Sequence, residues 1–168
     1  GDALDLASFL ADADFAERFL REARITGAFR HRHLIAVFDA GRSSTATNAK
    51  RIAAALVQAT GVSANTLVLT AAELDAAADG NPFLDRMEDP SRMLVGFIAA
   101  GADRKPLQAL VDKAAGEHVA LGADALYLWC PDGILESAFA GKLVGPAFRD
   151  SITSRNWSTV LKLQSLAA

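Results

Sequence analysis

The sequence predicts an α+β fold in which two split βαβ-like subdomains form a sheet-and-helix sandwich within one compact unit of 168 residues. Three observations predict it. Strand, helix, strand, helix occurs twice with modest element lengths, and no Gly-rich phosphate loop of a nucleotide-binding α/β fold is present. With 51% hydrophobic residues the chain can close one sizeable core, yet it is too short for two independent enzymes. The boundary between the halves is expected in the loop near residues 80–92, giving an N-terminal subdomain over 1–85 and a C-terminal one over 86–168.

Taken in order, LIAVF (34–38) is a short apolar, β-branched run closed by the turn group Asp39, Ala40, Gly41, and so reads as a strand. A helix follows from a Ser43 or Ser44 cap, with Ile52, Ala55, Leu56 and Ala59 on one face, and stops at Gly61. TLVLT (66–70) is a second strand. Thr70 caps the next helix, Glu73 completes a capping box, and Leu74 and Ala78 face inward. GNPF (80–83) breaks that helix, because Gly80 and Asn81 accept left-handed backbone and Pro82 holds its predecessor extended.

MLVGFIA (93–99) is apolar at successive positions, as a strand covered on both faces must be. Asp103 caps a helix with Pro106 in its first turn and Leu107, Leu110, Val111 and Ala114 at helical spacing. HVALGADALYLWC (118–130) reads as two strands turned at Gly122 and Ala123. Pro131, Asp132 and Gly133 make a tight turn into a short helix carrying Leu135, Ala138 and Phe139. FRDSI (148–152) is expected as a short edge strand. The last helix takes Thr153 or Ser154 as its cap and places Trp157, Val160 and Leu161 on one face.

The first 33 residues behave differently. Leu6, Phe9 and Leu10 have helical spacing, with helix expected to about residue 24 and a loop beyond it. Arg18, Arg21, Arg24, Arg30, Arg32, His31 and His33 then make the 18–33 stretch strongly basic.

A net charge of −3 opposes duplex-DNA binding, which leaves that basic stretch as the one foothold for nucleic acid and makes such a partner unlikely on charge grounds. Cys130 is the single cysteine, so an internal disulfide and a four-cysteine zinc site are both excluded; it reads as a small buried apolar residue in a reducing compartment. No apolar run reaches the roughly 20 residues that span a bilayer, and GDALDLASF lacks the basic-then-apolar order of a signal peptide. The expectation is a cytoplasmic protein with no membrane partner and no cofactor.

Catalytic motifs are missing: there is no G-x-S-x-G elbow, no P-loop and no H-E-x-x-H, so no catalytic residue is assigned. His31 and His33 alternate along a strand and would point the same way, but no third ligand is tied to them by spacing and two arginines flank them; no metal is expected. His118 has no nucleophile or carboxylate linked to it by a motif. Asp75, Asp79, Asp85, Glu88 and Asp89 around GNPF read as the solvated rim of a turn.

TSRNWSTVLKL (153–163) carries the sharpest functional signal. At a helix start, unpaired N–H groups and the positive dipole end favour anions, and Thr153, Ser154, Arg155 and Asn156 are residue types that bind phosphate or carboxylate there. Lys162, about two turns beyond Arg155, would widen the site. The same groups also support a structural reading, in which Ser or Thr caps the helix, Arg155 pairs with a carboxylate, Asn156 ties down a loop and Trp157 fills the core.

Thr153 to Trp157 followed by Thr159, Val160, Lys162 and Leu163, together with YLWCPDGI (127–134), NPF (81–83) and TAAEL (70–74), resembles the bacterial family catalogued as domain of unknown function 1697. The resemblance covers roughly residues 34–168. It implies two ferredoxin-like halves, a bacterial and cytoplasmic protein, and no particular activity. Residues 2–12 look like the family's first helix. The Arg-Gly-Ile-Asn-like stretch and the Ser-Gly-Asn expected before LIAVF are absent, and residues 14–33 match nothing in the family, as a truncation or a shifted reading frame would produce. A missing first strand leaves an unpaired sheet edge, and homo-oligomerisation through that edge is the alternative to the anion site.

Overall fold

Short β-branched runs separated by Ala-rich helical stretches fold as an α+β protein in the computed structural model, which describes residues 33–38, 45–60, 65–114 and 118–167. The chain divides into two compact units after Thr70. The predicted helix to about residue 24, the loop after it, and the Ser43 and Ser44 caps lie outside the described residues.

The first unit contains β1 (His33–Phe38), α1 (Thr45–Thr60) and β2 (Asn65–Thr70). The two strands pair in parallel, from His33 opposite Asn65 to Phe38 opposite Thr70, with α1 as the crossover that parallel pairing requires. Ile52 on α1 and Val68 on β2 are buried. The side chains of Ala55, Leu56 and Ala59 lie outside those described.

The second unit opens with α2 (Ala71–Asp79), which the sequence reading placed in the N-terminal half. It joins this unit because Leu74, Ala77 and Ala78 are buried and its last turn is bonded to a strand of the second sheet. That sheet is built from β3 (Met93–Ile98), β4 (His118–Leu121), β5 (Ala125–Trp129) and β6 (Ile152–Asn156), in the order β4-β5-β3-β6 with every neighbouring pair antiparallel. Helix α3 (Lys105–Asp112) joins β3 to β4, α4 (Ala138–Leu143) lies between β5 and β6, and α5 (Trp157–Ala167) follows β6.

Side chains alternate across this sheet. One face carries Leu94, Leu126, Leu128 and Ile152, which pack with Leu107 of α3, Phe139, Ala140 and Leu143 of α4, and Cys130. The other carries Val95, Phe97, Tyr127 and Trp129, also buried. Burial on both faces explains the continuous apolar runs of β3 and β5. Truncating a core member such as Leu128 to Ala costs about 2–5 kcal/mol.

Four local readings need correction. Residues 148–151 are not strand: amide bonds from Phe148 to Gly145, Arg149 to Pro146 and Ser151 to Phe148 coil them, and β6 starts only at Ile152. Leu135 sits in a single 3₁₀ turn at 98% exposure rather than on a buried helix face, and only Phe139 of that set turns inward. Asp103 accepts the Lys105 amide at 3.0 Å one residue ahead of the cap position, which Arg104 occupies. Gly80 and Asn81 both have negative φ.

Steric room is what Gly80 supplies. At the end of α2 the Gly80 amide reaches the Ala76 carbonyl, the Asn81 amide reaches that of Ala78, and the Ala77 carbonyl accepts the Tyr127 hydroxyl at 2.6 Å. A Cβ on Gly80 would stand 2.9 Å from that hydroxyl, and one on Gly122 would stand 3.0 Å from the phenol ring. Tyr127 on β5 thus caps α2, threaded between two positions where a Cβ would press on it.

Tyr127→Phe is expected to lower unfolding stability by about 1–3 kcal/mol, because the Ala77 carbonyl loses its donor. Gly80→Ala is expected to cost a similar amount, and about 1 kcal/mol less in the Phe background, where the clashing oxygen is gone; chemical denaturation of the two single variants and the double variant measures that coupling. Burial, with the Asp124 charge adding to it, raises the Tyr127 pKa above 10.0. Its contribution is therefore full below pH 10.0 and lost as pH rises through the higher folded-state value. As Tyr127 is the only tyrosine, near-ultraviolet tyrosinate absorbance of native and denatured protein reads the shift directly.

Candidate functional site

Where the polar run of Thr, Ser, Arg and Asn was expected to open the last helix, it continues the sheet. Thr153, Ser154, Arg155 and Asn156 lie in β6, opposite Phe97, Gly96, Val95 and Leu94, and the helix begins at Trp157. The open side of β3 draws these residues into its ladder because their backbone groups gain partners there that a helical turn would not provide. The cap is Asn156. Its Oδ1 accepts the Thr159 amide at 2.9 Å and the Thr159 hydroxyl at 3.0 Å, so the expected Thr153 or Ser154 cap is displaced by up to three residues. Trp157 and Val160 are buried as read, whereas Leu161 is 44% exposed.

A strand divides what a helix start would have gathered. Thr153 and Arg155 lie on the face of Val95 and Phe97, and Ser154 and Asn156 on the face of Ile152. Thr153 is one of two buried polar side chains among the described residues, the other being Asn81. Lys162 lies exposed on α5. The Ala99 amide reaches Ser151 on the β6 side while that of Ile98 reaches Asp124. By alternation Val95 and Phe97 bond Arg155 and Thr153, and the Ser154 carbonyl points off the sheet edge. Arg155 Nη1 donates to that carbonyl at 2.6 Å. Burial depresses the guanidinium pKa, though an arginine keeps its charge under any ordinary condition.

Other chemistry-bearing side chains act structurally. Arg104 grips the β4–β5 turn, Nη1 donating to the Ala123 carbonyl and Nη2 to that of Gly122, both at 2.5 Å. Arg92 donates to the Pro131 carbonyl at 2.5 Å and lies 3.5 Å from Asp89. Asp89 accepts the Ser91 hydroxyl and amide, which together hold its carboxyl below the usual carboxylate range. Asp75 accepts from Gln164 of α5 at 2.8 Å. Among the described residues no three His, Cys, Asp or Glu side chains come together as metal ligands. His31 lies outside the described residues, as does the His33 side chain. Arg104 and Tyr127 escaped the sequence reading because no short-range pattern links either to its carbonyl partners.

With this geometry in hand, the model of a family described as "Protein of unknown function (DUF1697)" matches residues 36–127. The chain belongs to the DUF1697 family. The matched stretch runs from β1 to Tyr127, so the DUF1697 match includes Gly80, Gly122 and the tyrosine they frame but not residues 153–163. Among solved structures, the conserved bacterial protein SP0830 from Streptococcus pneumoniae is similar over 76% of this chain and 73% of that one, with 18% identity and a TM-score of 0.55. That similarity bears on the fold alone. No curated protein matches this DUF1697 chain. Among the described residues no helix is long and apolar enough to cross a membrane.

Replacing the DUF1697 chain's Asn156 by Ala is expected to lower stability by about 1 kcal/mol, while Asp or Ser at that position retains most of it; thermal melting of the three variants checks the cap.

Proposed function

We propose that this protein binds a small anionic or phosphate-bearing ligand where β6 runs into α5, with Arg155 as the cation. The observation that carries the reading is a guanidinium held in a part-buried position beside a helix N-terminus. Its rigid fork of five donors matches the oxygens of phosphate or carboxylate, and the first-turn amides of α5 favour the same charge. Thr153 shares its face, Ser154 and Asn156 adjoin it, and Lys162 adds a second positive charge on α5. No catalytic residue or cofactor forms part of the proposal.

Inorganic phosphate and sugar phosphates are expected to raise the melting temperature saturably, by an amount equivalent to about 2.7 kcal/mol at a hundredfold excess over Kd. Arg155→Gln is expected to abolish the rise while leaving the far-ultraviolet circular dichroism unchanged. A wild-type melting temperature indifferent to every such anion refutes the site.

A second reading, homo-oligomerisation through the first sheet, is favoured by one observation: among the described residues β1 and β2 pair only with each other. Two-stranded parallel sheets seldom stand uncovered. Light scattering is expected to show a dimer that dissociates on dilution; a monomer at all concentrations refutes it. Nucleic-acid binding through residues 18–33 falls almost wholly outside the described residues and would be marked by a steep loss of affinity with salt.

We also read the second unit as ferredoxin-like. Support comes from its β-α-β-β-α-β succession with the strand order β4-β5-β3-β6, in which each helix connection spans one inserted strand. A cytoplasmic setting in a bacterium belongs to the same proposal, supported by a single buried cysteine outside any disulfide and the bacterial source of the similar structure.

A further inference from the structure

Asn81, in the NPF turn after α2, is only 4% exposed, and its amide is held in one orientation because Oδ1 accepts the Phe83 amide at 2.9 Å. The Nδ2 group on the other side of that amide is buried and has no hydrogen-bond partner in the protein. An orphaned buried donor costs about 1–3 kcal/mol, and the great majority of buried polar atoms in folded proteins are satisfied by protein or by ordered water. Rotating the amide offers no escape, because it would break the Phe83 bond and set two N–H donors against each other.

Lone pairs lie one residue away along the chain. Gly80 precedes Asn81 and has the Tyr127 hydroxyl oxygen beside it; that oxygen sends its single proton to Ala77 and keeps its lone pairs. Pro82 follows and brings no donor of its own. A guest here needs one acceptor for Nδ2 and donors for such lone pairs, and water meets both demands in the smallest volume.

We propose that the turn at Asn81 is an internal water-binding site, in which one long-lived water molecule accepts from Asn81 Nδ2. The water sits in the turn that ends α2, and it is independent of any ligand at Arg155.

Two measurements on the wild-type protein test the proposal. A crystal structure is expected to show an ordered water within about 3 Å of Nδ2. In solution, the Asn81 side-chain amide protons are expected to show a direct cross-relaxation peak with water, of the sign that marks a bound rather than a diffusing molecule. Protein atoms at that position, an anion or other solute there, or amide protons without the water peak would each overturn it.

Discussion

A single phenolic hydroxyl ties α2 to the second sheet. Tyr127 stands on the central strand β5, and its oxygen reaches across to the Ala77 carbonyl, one of the acceptors that a helix end leaves unpaired. For that bond to form, β5 must bring the ring past Gly122 and its hydroxyl past Gly80, and any Cβ at either position would intrude. Gly80 therefore constrains, and is constrained by, Gly122 and Tyr127 some forty residues further along the chain. Helix α2 belongs to the second unit, where Ala77 accepts from Tyr127 of β5 and Asp75 from Gln164 of α5.

That constraint sets the character of the sheet around it. Burying a Tyr on one face while Leu126 and Leu128 fill the other makes β5 a strand with no solvated side. Polar groups are then confined to the ends and edges, where Arg104 holds the β4–β5 turn, Arg92 the exit from β5, and Arg155 the Ser154 carbonyl of β6. Each of these guanidinium groups donates to backbone carbonyls that turns and edges leave over, so the cations finish what the ladders cannot. Arg155 differs from the other two in being part-buried, and an edge strand covered by its own arginine is a poor template for another strand. Arg92 and Arg104 stay exposed while they staple, whereas the part-buried charge beside a helix start is the one we propose for an anion.

Most strands and helices were legible because their signals are local. LIAVF, TLVLT and MLVGFIA are β-branched or apolar at successive positions, Gly122 and Ala123 mark the hairpin, and Leu107 to Ala114 repeat at helical spacing. The candidate site was legible in residue type but not in conformation. Ser, Thr, Arg and Asn before a Trp satisfy a cap pattern and an edge-strand pattern equally well, and only the free side of β3 chose between them. Asn156 was the right kind of cap in a run that offered several. The exposure of Leu135 and of Leu161 likewise follows from what the neighbouring elements leave uncovered, which no spacing rule records.

By itself, then, the sequence determined the α+β class, the strand and helix succession from residue 34 onward, the DUF1697 character and the burial of Cys130, all consequences of residue type and period. Tertiary structure alone decided that α2 joins the second unit, that β6 runs on to Asn156, that Gly80 serves space rather than backbone conformation, and that Asn81 is enclosed. Each of these turns on atoms brought together from segments tens of residues apart, and hydrogen-bond partners and excluded volume at that range leave no periodic trace along the chain.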